Sequence, residues 1–146
     1  MIDMRIKHMF FDRPRIVAAV DRAKRKALSR GGAFIRQSAK TSIRKRKGSA
    51  PPGKPPHAHE GSLRRLILFG YDQRTDSVVV GPVGFKKSSA PNVLEFGGST
   101  VIMRRVKGRL VRQRIKIAAR PYMGPALEKE KPKLPKAWAN SVRGGP

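Results

Sequence analysis

The side chains in this sequence best suited to chemistry are cationic. Arg104, Arg105, Lys107, Arg109, Arg112, Arg114 and Lys116 crowd into one short stretch, and Arg44, Lys45, Arg46 and Lys47 form an unbroken run. Such groups take anions, because guanidinium and ammonium donors match phosphate and carboxylate oxygens. No aromatic residue is interleaved among residues 104–116, so stacking on unpaired bases is not expected there. The contact predicted is electrostatic and blind to base sequence.

Catalytic chemistry finds little to work with. The nine acids, Asp3, Asp12, Asp21, Glu60, Asp72, Asp76, Glu95, Glu128 and Glu130, are scattered, and several sit where helix caps or turns are expected. His57-Ala58-His59-Glu60 is the one grouping that suggests a metal. Two imidazoles two residues apart point to opposite sides of an extended chain, and no third ligand follows at a recognised spacing. The glycine pairs at 31–32, 97–98 and 144–145 form no phosphate loop. The sequence therefore predicts no enzyme, no metal and no cofactor.

Charge dominates the composition. The 146 residues carry 34 Lys and Arg against 9 Asp and Glu, a net +25. Residues 1–60 hold 16 basic and 4 acidic groups, and residues 61–146 hold 18 and 5, so this is no neutral domain with a basic tail. Such an imbalance repels itself and implies an anionic partner: nucleic acid, a membrane surface or acidic protein neighbours. The absence of cysteine excludes disulfides and thiolate metal sites. No apolar run approaches the roughly 20 residues that span a bilayer, so no membrane is expected as partner. The opening MIDMRIKHMFFDRPR lacks an apolar signal core, which predicts synthesis in the cytosol.

The elements that must position these charges can be read in outline. Asp12 as N-cap, Pro14 in the first turn and Phe11 stapled to Ile16 predict a basic helix over 13–46. Ile16, Val20, Ala23, Ala27, Gly31, Phe34 and Ser38 recur at helical spacing, opposite Arg22, Arg25, Lys26, Arg36 and Lys40. At about 46 Å to Ile43, such a helix exceeds what one small core covers, so part of its stripe is expected to pack on another subunit. Gly31-Gly32 marks either a kink or a close approach of another backbone.

Residues 47–60, with four prolines, form an extended arm. Strands are predicted at 63–71 and 77–83 around a turn at 72–76, and a short one at 92–96 after a loop. A basic hairpin over 99–117 turns at Lys107-Gly108, with Val111, Ile115 and Ile117 facing a core and Arg112, Arg114 and Lys116 forming a ribbon on the other side. Pro125 opens C-terminal helical pieces within 124–142, broken by Pro132 and Pro135. The whole is a single α+β domain, a long N-terminal helix packed on a small antiparallel sheet (61–118) with short C-terminal helical segments. The run at 44–47 reads either as a solvated helix end or as a phosphate contact; for the hairpin an anionic partner is the better reading.

In this linear order the motifs resemble the gene-10-like minor tail or neck family of lambda-like long-tailed bacteriophages. They are Pro51-Pro52-Gly53-Lys54-Pro55-Pro56-His57, then Gly61-Ser62-Leu63-Arg64, then Val80-Gly81-Pro82, then Leu94-Glu95-Phe96-Gly97, then Ala119-Arg120-Pro121-Tyr122-Met123-Gly124-Pro125-Ala126-Leu127-Glu128. The resemblance spans residues 51–128. It implies a virion structural protein that completes the tail or seals the head-to-tail joint, assembled in the bacterial cytoplasm. It implies a closed homo-oligomeric ring of roughly six or twelve subunits around genomic DNA, beside other connector and tail proteins. Pro52, Pro55, Pro56, His57, Gly61, Leu63, Arg64, Glu95, Phe96, Gly97, Arg120, Pro121, Tyr122, Met123 and Pro125 are then interface or family-motif positions. Glu60 stands where the family often has threonine. The rival reading is a cytosolic nucleic-acid-binding protein of ribosomal or nucleoid type, which the charge alone favours.

Overall fold

In a computed structural model, residues 13–58, 61–85, 90–139 and 141 are described; the expected N-cap Asp12, the staple Phe11, and His59 and Glu60 lie outside them. The longest element is α1 (Arg13–Ser42), an uninterrupted helix about 45 Å long. It passes through Gly31 and Gly32 without a break. A Cβ on Gly32 would lie 2.5 Å from Val78 Cγ1 and 3.0 Å from Phe69 Cδ2, and one on Gly31 would lie 2.9 Å from Leu134 Cδ2. The pair thus serves close approach rather than a kink.

Helix α1 stops four residues short of the expected 46. The Thr41 and Ser42 hydroxyls turn back on the carbonyls of Gln37 and Ala39, Ile43 plunges into the core at 1% exposure, and Ala58 N–H takes the Arg44 carbonyl. Arg44 to Lys47 consequently lie on irregular chain past the helix, not in its last turn. The predicted stripe is buried at Ala23 and Gly31 but shifts toward the end of the helix. Phe34 is half exposed, and the buried line runs instead through Ile35, Ala39 and Ile43, which keep helical spacing. At the other end Ile16, Val17 and Val20 are exposed.

A five-residue helix, α2 (Ser62–Leu66), leads into β1 (Ile67–Asp72), which pairs antiparallel with β2 (Ser77–Pro82), Ile67 opposite Pro82 and Asp72 opposite Ser77. The expected strand from Leu63 therefore begins helically. Gly61, at φ 75°, accepts the Arg65 N–H and closes that turn. Arg36 Nε donates to the Ile67 carbonyl at 2.9 Å and ties α1 to the start of the strand.

The segment expected to be a strand at 92–96 is a helix, α3 (Ala90–Phe96). Pro91 sits in its first turn, where the missing N–H is not needed, and Gly97 ends it in the left-handed region (φ 77°) with its N–H on the Val93 carbonyl at 2.9 Å. That proline-start, glycine-stop signature outweighs the short apolar alternation.

Strands β3 (Gly98–Val106) and β4 (Arg109–Ile117) form a second two-stranded sheet. The single sheet expected is thus two separate hairpins. Then come α4 (Met123–Glu130), a 3-10 turn (Lys131–Lys133) and α5 (Leu134–Trp138). Pro132 and Pro135 each occupy a first turn, so they redirect the chain without an intervening loop. The second piece ends at Trp138 rather than running on, and Asn140 and Val142 lie outside the described residues.

The core joins α1, the proline arm, β1 and α4 through Ala39, Ile43, Ala58, Ile67, Tyr122 and Ala126, with Ile35, Leu63, Val80, Leu94 and Met123 packed around them. The chain has an α+β fold with one small core.

Candidate functional site

Nine paired residues per strand make β3–β4 an arm about 30 Å long. Its turn is the two-residue type, with Lys107 at φ 47° and Gly108 at φ 79°; both values are positive, as the right-handed strand twist favours. Lysine tolerates that conformation poorly, which is why it looks out of place in the sequence.

Directly opposed residues share a face. Ser99–Lys116, Val101–Arg114, Met103–Arg112 and Arg105–Leu110 make one face; Thr100–Ile115, Ile102–Gln113, Arg104–Val111 and Val106–Arg109 make the other. Arg112, Arg114 and Lys116 do share a side, and Arg105 joins them. Arg104 and Arg109 point the opposite way near the tip, while Lys107 sits in the turn.

The expected core face exists only at the base, where Thr100, Ile102, Ile115 and Ile117 are half-buried. Farther out Val106 and Val111 are each 47% exposed, and on the cationic face Val101, Met103 and Leu110 are exposed as well. The arm outruns the body that would cover it. Residues 98–117 contain no acid, so none of its seven cations meets a carboxylate within the arm.

The root of the arm is a tight knot of the motif residues. The Glu95 carboxylate accepts the backbone N–H groups of Tyr122 (2.9 Å), Met123 (3.0 Å) and Gly124 (2.7 Å), so a side chain of α3 caps the N-terminus of α4 and meets its positive dipole end. Arg120 N–H donates to the Leu94 carbonyl, Arg120 Nε to the Ala50 carbonyl at 2.7 Å, and Gly53 N–H to the Ala119 carbonyl at 2.8 Å. A Cβ on Gly97 would stand 3.1 Å from the Ala119 nitrogen. The root thereby joins α3, both strand ends, the proline arm and α4.

Tyr122 is 1% exposed there, and burial, with the nearby Glu95 charge adding to it, pushes its hydroxyl up to about 12. Leu63 and Met123 pack against the core, and Pro56 is buried. Pro55 and Pro121 are half-buried, as is His57, whose Nδ1 lies 3.2 Å from the Gly48 carbonyl. Pro52, Arg64 and Pro125 are exposed, and Phe96 is 80% exposed. The motif positions are therefore chiefly one packing unit. The proline arm folds onto its own body through Ala50, Pro56 and Ala58.

Glu95 as a cap is invisible locally, because its partners are 27 to 29 residues away. The signal is indirect: an acid ending a proline-started helix, and a later helix with no acid in its own first turn.

Around the first hairpin the charges are matched. Lys24 pairs with Asp76 and, at 3.3 Å, with Asp21; Tyr71 donates to Asp76, and the Arg25 guanidinium stands 5.5 Å from the Tyr71 ring centre. The Lys24 ammonium holds the Asp76 carboxyl below its usual range, with the Tyr71 hydroxyl assisting. Toward the end of α1, burial and then the cations Arg36 and Arg64 push Lys40 down.

Among the described residues no three His, Asp or Glu side chains stand together as a metal site, and no described helix is long and apolar enough to cross a membrane. No protein-family model, curated protein or solved structure matches the chain.

Proposed function

We propose that the chain is a virion structural protein of a tailed bacteriophage, a ring-forming neck or tail-completion subunit at the head-to-tail junction that surrounds the DNA channel. The observation that carries the reading is the β3–β4 arm, bare on both faces beyond its base, with seven cations, exposed Val101, Met103, Leu110 and Val111, and no acid. An isolated two-stranded hairpin is marginal in water, and an arm with both apolar and cationic groups uncovered fits a place between subunits and DNA. The ordered motifs of residues 51–128 add the family resemblance, and their convergence on the arm's root gives them a common physical purpose.

Apolar groups on the body support assembly too. Val79, Phe96 and Leu127 are exposed around a cavity of about 540 Å³ lined by Ile35, Val78, Val80 and Tyr122. Uncovered apolar surface of this kind marks protein interfaces more than phosphate contacts.

The arm's charge, with no acid among residues 98–117, also favours a second reading, a sequence-independent nucleic-acid-binding protein of ribosomal or nucleoid type. Mass measurement and salt titration separate the two. A ring subunit forms closed oligomers, alone or with connector proteins, and binds free duplex modestly. A dedicated nucleic-acid binder stays monomeric or dimeric and binds tightly, with log affinity falling by about 0.9 per neutralised phosphate for each decade of salt. Labelling of purified particles gives the decisive image: signal at the neck is expected, and signal elsewhere overturns the virion reading.

A further inference from the structure

A second cationic cluster forms away from the arm. Arg44 and Arg46, just past α1, share a cavity of about 560 Å³ with Lys54 and His57 of the proline arm and Lys129 of α4. We propose that this cavity is a phosphate-binding site, which takes a phosphoryl group carried on a larger molecule. The inference concerns none of the β3–β4 residues on which the virion reading rests, so either can fail without the other.

None of the residues that line the cavity is an acid. Glu130, beside Lys129 in the chain, accepts from Ser38 Oγ and from Lys133 Nζ, each at 2.9 Å, and the Lys133 charge balances it. Cations past a helix C-terminus offset its dipole, but that dipole amounts to roughly half a unit charge. Arg44, Arg46, Lys54 and Lys129 bring four positive charges, so most of the charge is left for a ligand.

The walls are also fixed before any ligand arrives. Ala58 N–H holds the Arg44 carbonyl at 3.1 Å, Lys54 N–H closes a turn on the Pro51 carbonyl at 3.2 Å, and Gly53 N–H is tied to the Ala119 carbonyl. Arg120 Nε grips the Ala50 carbonyl, and Pro55-Pro56 restricts the chain between Lys54 and His57. Cations on pinned backbone lose less entropy on binding than the same cations on a free loop.

The donor set selects the ligand class. Two guanidiniums offer planar forks that bind two oxygens of one phosphoryl group, and two ammoniums add point charges. The volume falls in the ordinary range for ligand sites and leaves room beyond a single phosphate for the group that carries it. A nucleic-acid backbone and a free phosphorylated molecule present the same chemistry.

Calorimetric titration of the full chain at constant ionic strength tests the site, with pyrophosphate, adenosine monophosphate and a short DNA duplex as probes. Three proteins are compared: the unaltered chain, Lys54→Gln with Lys129→Gln, and Arg112→Gln with Arg114→Gln and Lys116→Gln. Lys54 and Lys129 are exposed, so their replacement is expected to leave thermal melting unchanged. The cavity variant is expected to bind pyrophosphate about tenfold more weakly, and the arm variant to bind it normally. A fourth protein, Lys54→Arg, keeps the charge and should keep the affinity. If the duplex weakens together with pyrophosphate in the cavity variant, the phosphate is that of a nucleic-acid backbone. If the small phosphates weaken alone, it belongs to a free molecule. Equal pyrophosphate affinity in the unaltered chain and the cavity variant, or an equal loss in the arm variant, overturns the proposal.

Discussion

Strands β1–β2 and β3–β4 are both two-stranded antiparallel hairpins, yet only the first leans on the rest of the chain along its length. Phe69 and Val78 meet α1 at Gly32, where the missing side chain lets the sheet approach. Its turn carries its own acids. Asp72 accepts from Arg74 N–H and Thr75 Oγ1, and Asp76 answers Lys24 on α1. The second hairpin has neither cover nor acids beyond its half-buried base. Two strands alone are barely stable in water, so the first hairpin is stabilised by its own chain and the second depends on its root and on whatever binds it. A charge matched inside the fold says little about partners, whereas a charge left bare says a good deal.

The largest effect is expected at the root. Glu95→Ala strands three backbone donors at the start of α4 and frees the joint between α3 and the arm. Charged hydrogen bonds of this kind contribute roughly 1.5–3 kcal/mol, so a loss of about 2–3 kcal/mol is expected, read as a fall of about 5–10 °C in Tm. Glu95→Gln keeps an acceptor oxygen and should lose about half as much. A change under about 0.5 kcal/mol for Glu95→Ala in urea denaturation would show that the arm is not held at this joint.

Tyr122 sharpens the comparison through pH. Its hydroxyl titrates near 10 in an unfolded chain and at about 12 here. The folded state therefore favours the neutral phenol. The resulting stability is fully present below pH 10 and fades as pH rises toward 12, as the unfolded chain ionises first. The loss amounts to roughly 2–3 kcal/mol, the order expected for a two-unit shift of a buried group. Tyr122→Phe lacks this ionisation, so the unaltered protein should lose stability relative to the variant over that range; lysine titration is common to both and cancels. A constant difference would mean that the root admits water.

The covered hairpin is tested at the glycine pair. Alanine in a helix interior gains about 1 kcal/mol over glycine, but at Gly32 its Cβ would press on Val78 and Phe69, an overpacking that costs roughly 1–3 kcal/mol. Gly32→Ala should be net destabilising by about 1 kcal/mol. At Gly31 the obstruction is the far end of Leu134, a flexible side chain, so Gly31→Ala should be neutral or stabilising. The reverse order would mean that β1–β2 does not rest where the glycines place it.

What is legible in the sequence follows from the range of the forces concerned. Strand β4 and the Lys107-Gly108 turn can be read because alternation and turn chemistry are local. The end of α1 cannot, because a tertiary contact ends it: Ile43 is drawn into the core and Ala58 takes the Arg44 carbonyl. Helix α3 reads wrongly as a strand because Val93, Leu94 and Phe96 also fit a short alternation, although Pro91 and Gly97 decide its ends. At the candidate site the seven cations are legible as a group, and so is the shared side of Arg112, Arg114 and Lys116; that Arg105 joins them while Arg104 and Arg109 face the other way depends on the cross-strand pairing. The gathering of Arg44, Arg46, Lys54 and Lys129 around one cavity is hidden entirely, since it depends on the proline arm folding back.

The smallest effect on stability and the sharpest on function are expected at the arm. Arg112, Arg114 and Lys116 are exposed and lie on one face, so their joint replacement by glutamine should change unfolding free energy by no more than about 0.5 kcal/mol. If the arm meets DNA, the same variant should bind duplex more weakly, with the salt slope shallower by up to about 3, near 0.9 for each phosphate no longer neutralised. Particles built with it should then retain DNA or join heads to tails poorly. Infectious particles at normal titre would show that this face does not meet DNA. An unaltered salt slope with failed joining would instead assign the three cations to acidic protein neighbours, and the contrast between the hairpins would then be one of subunit contact alone.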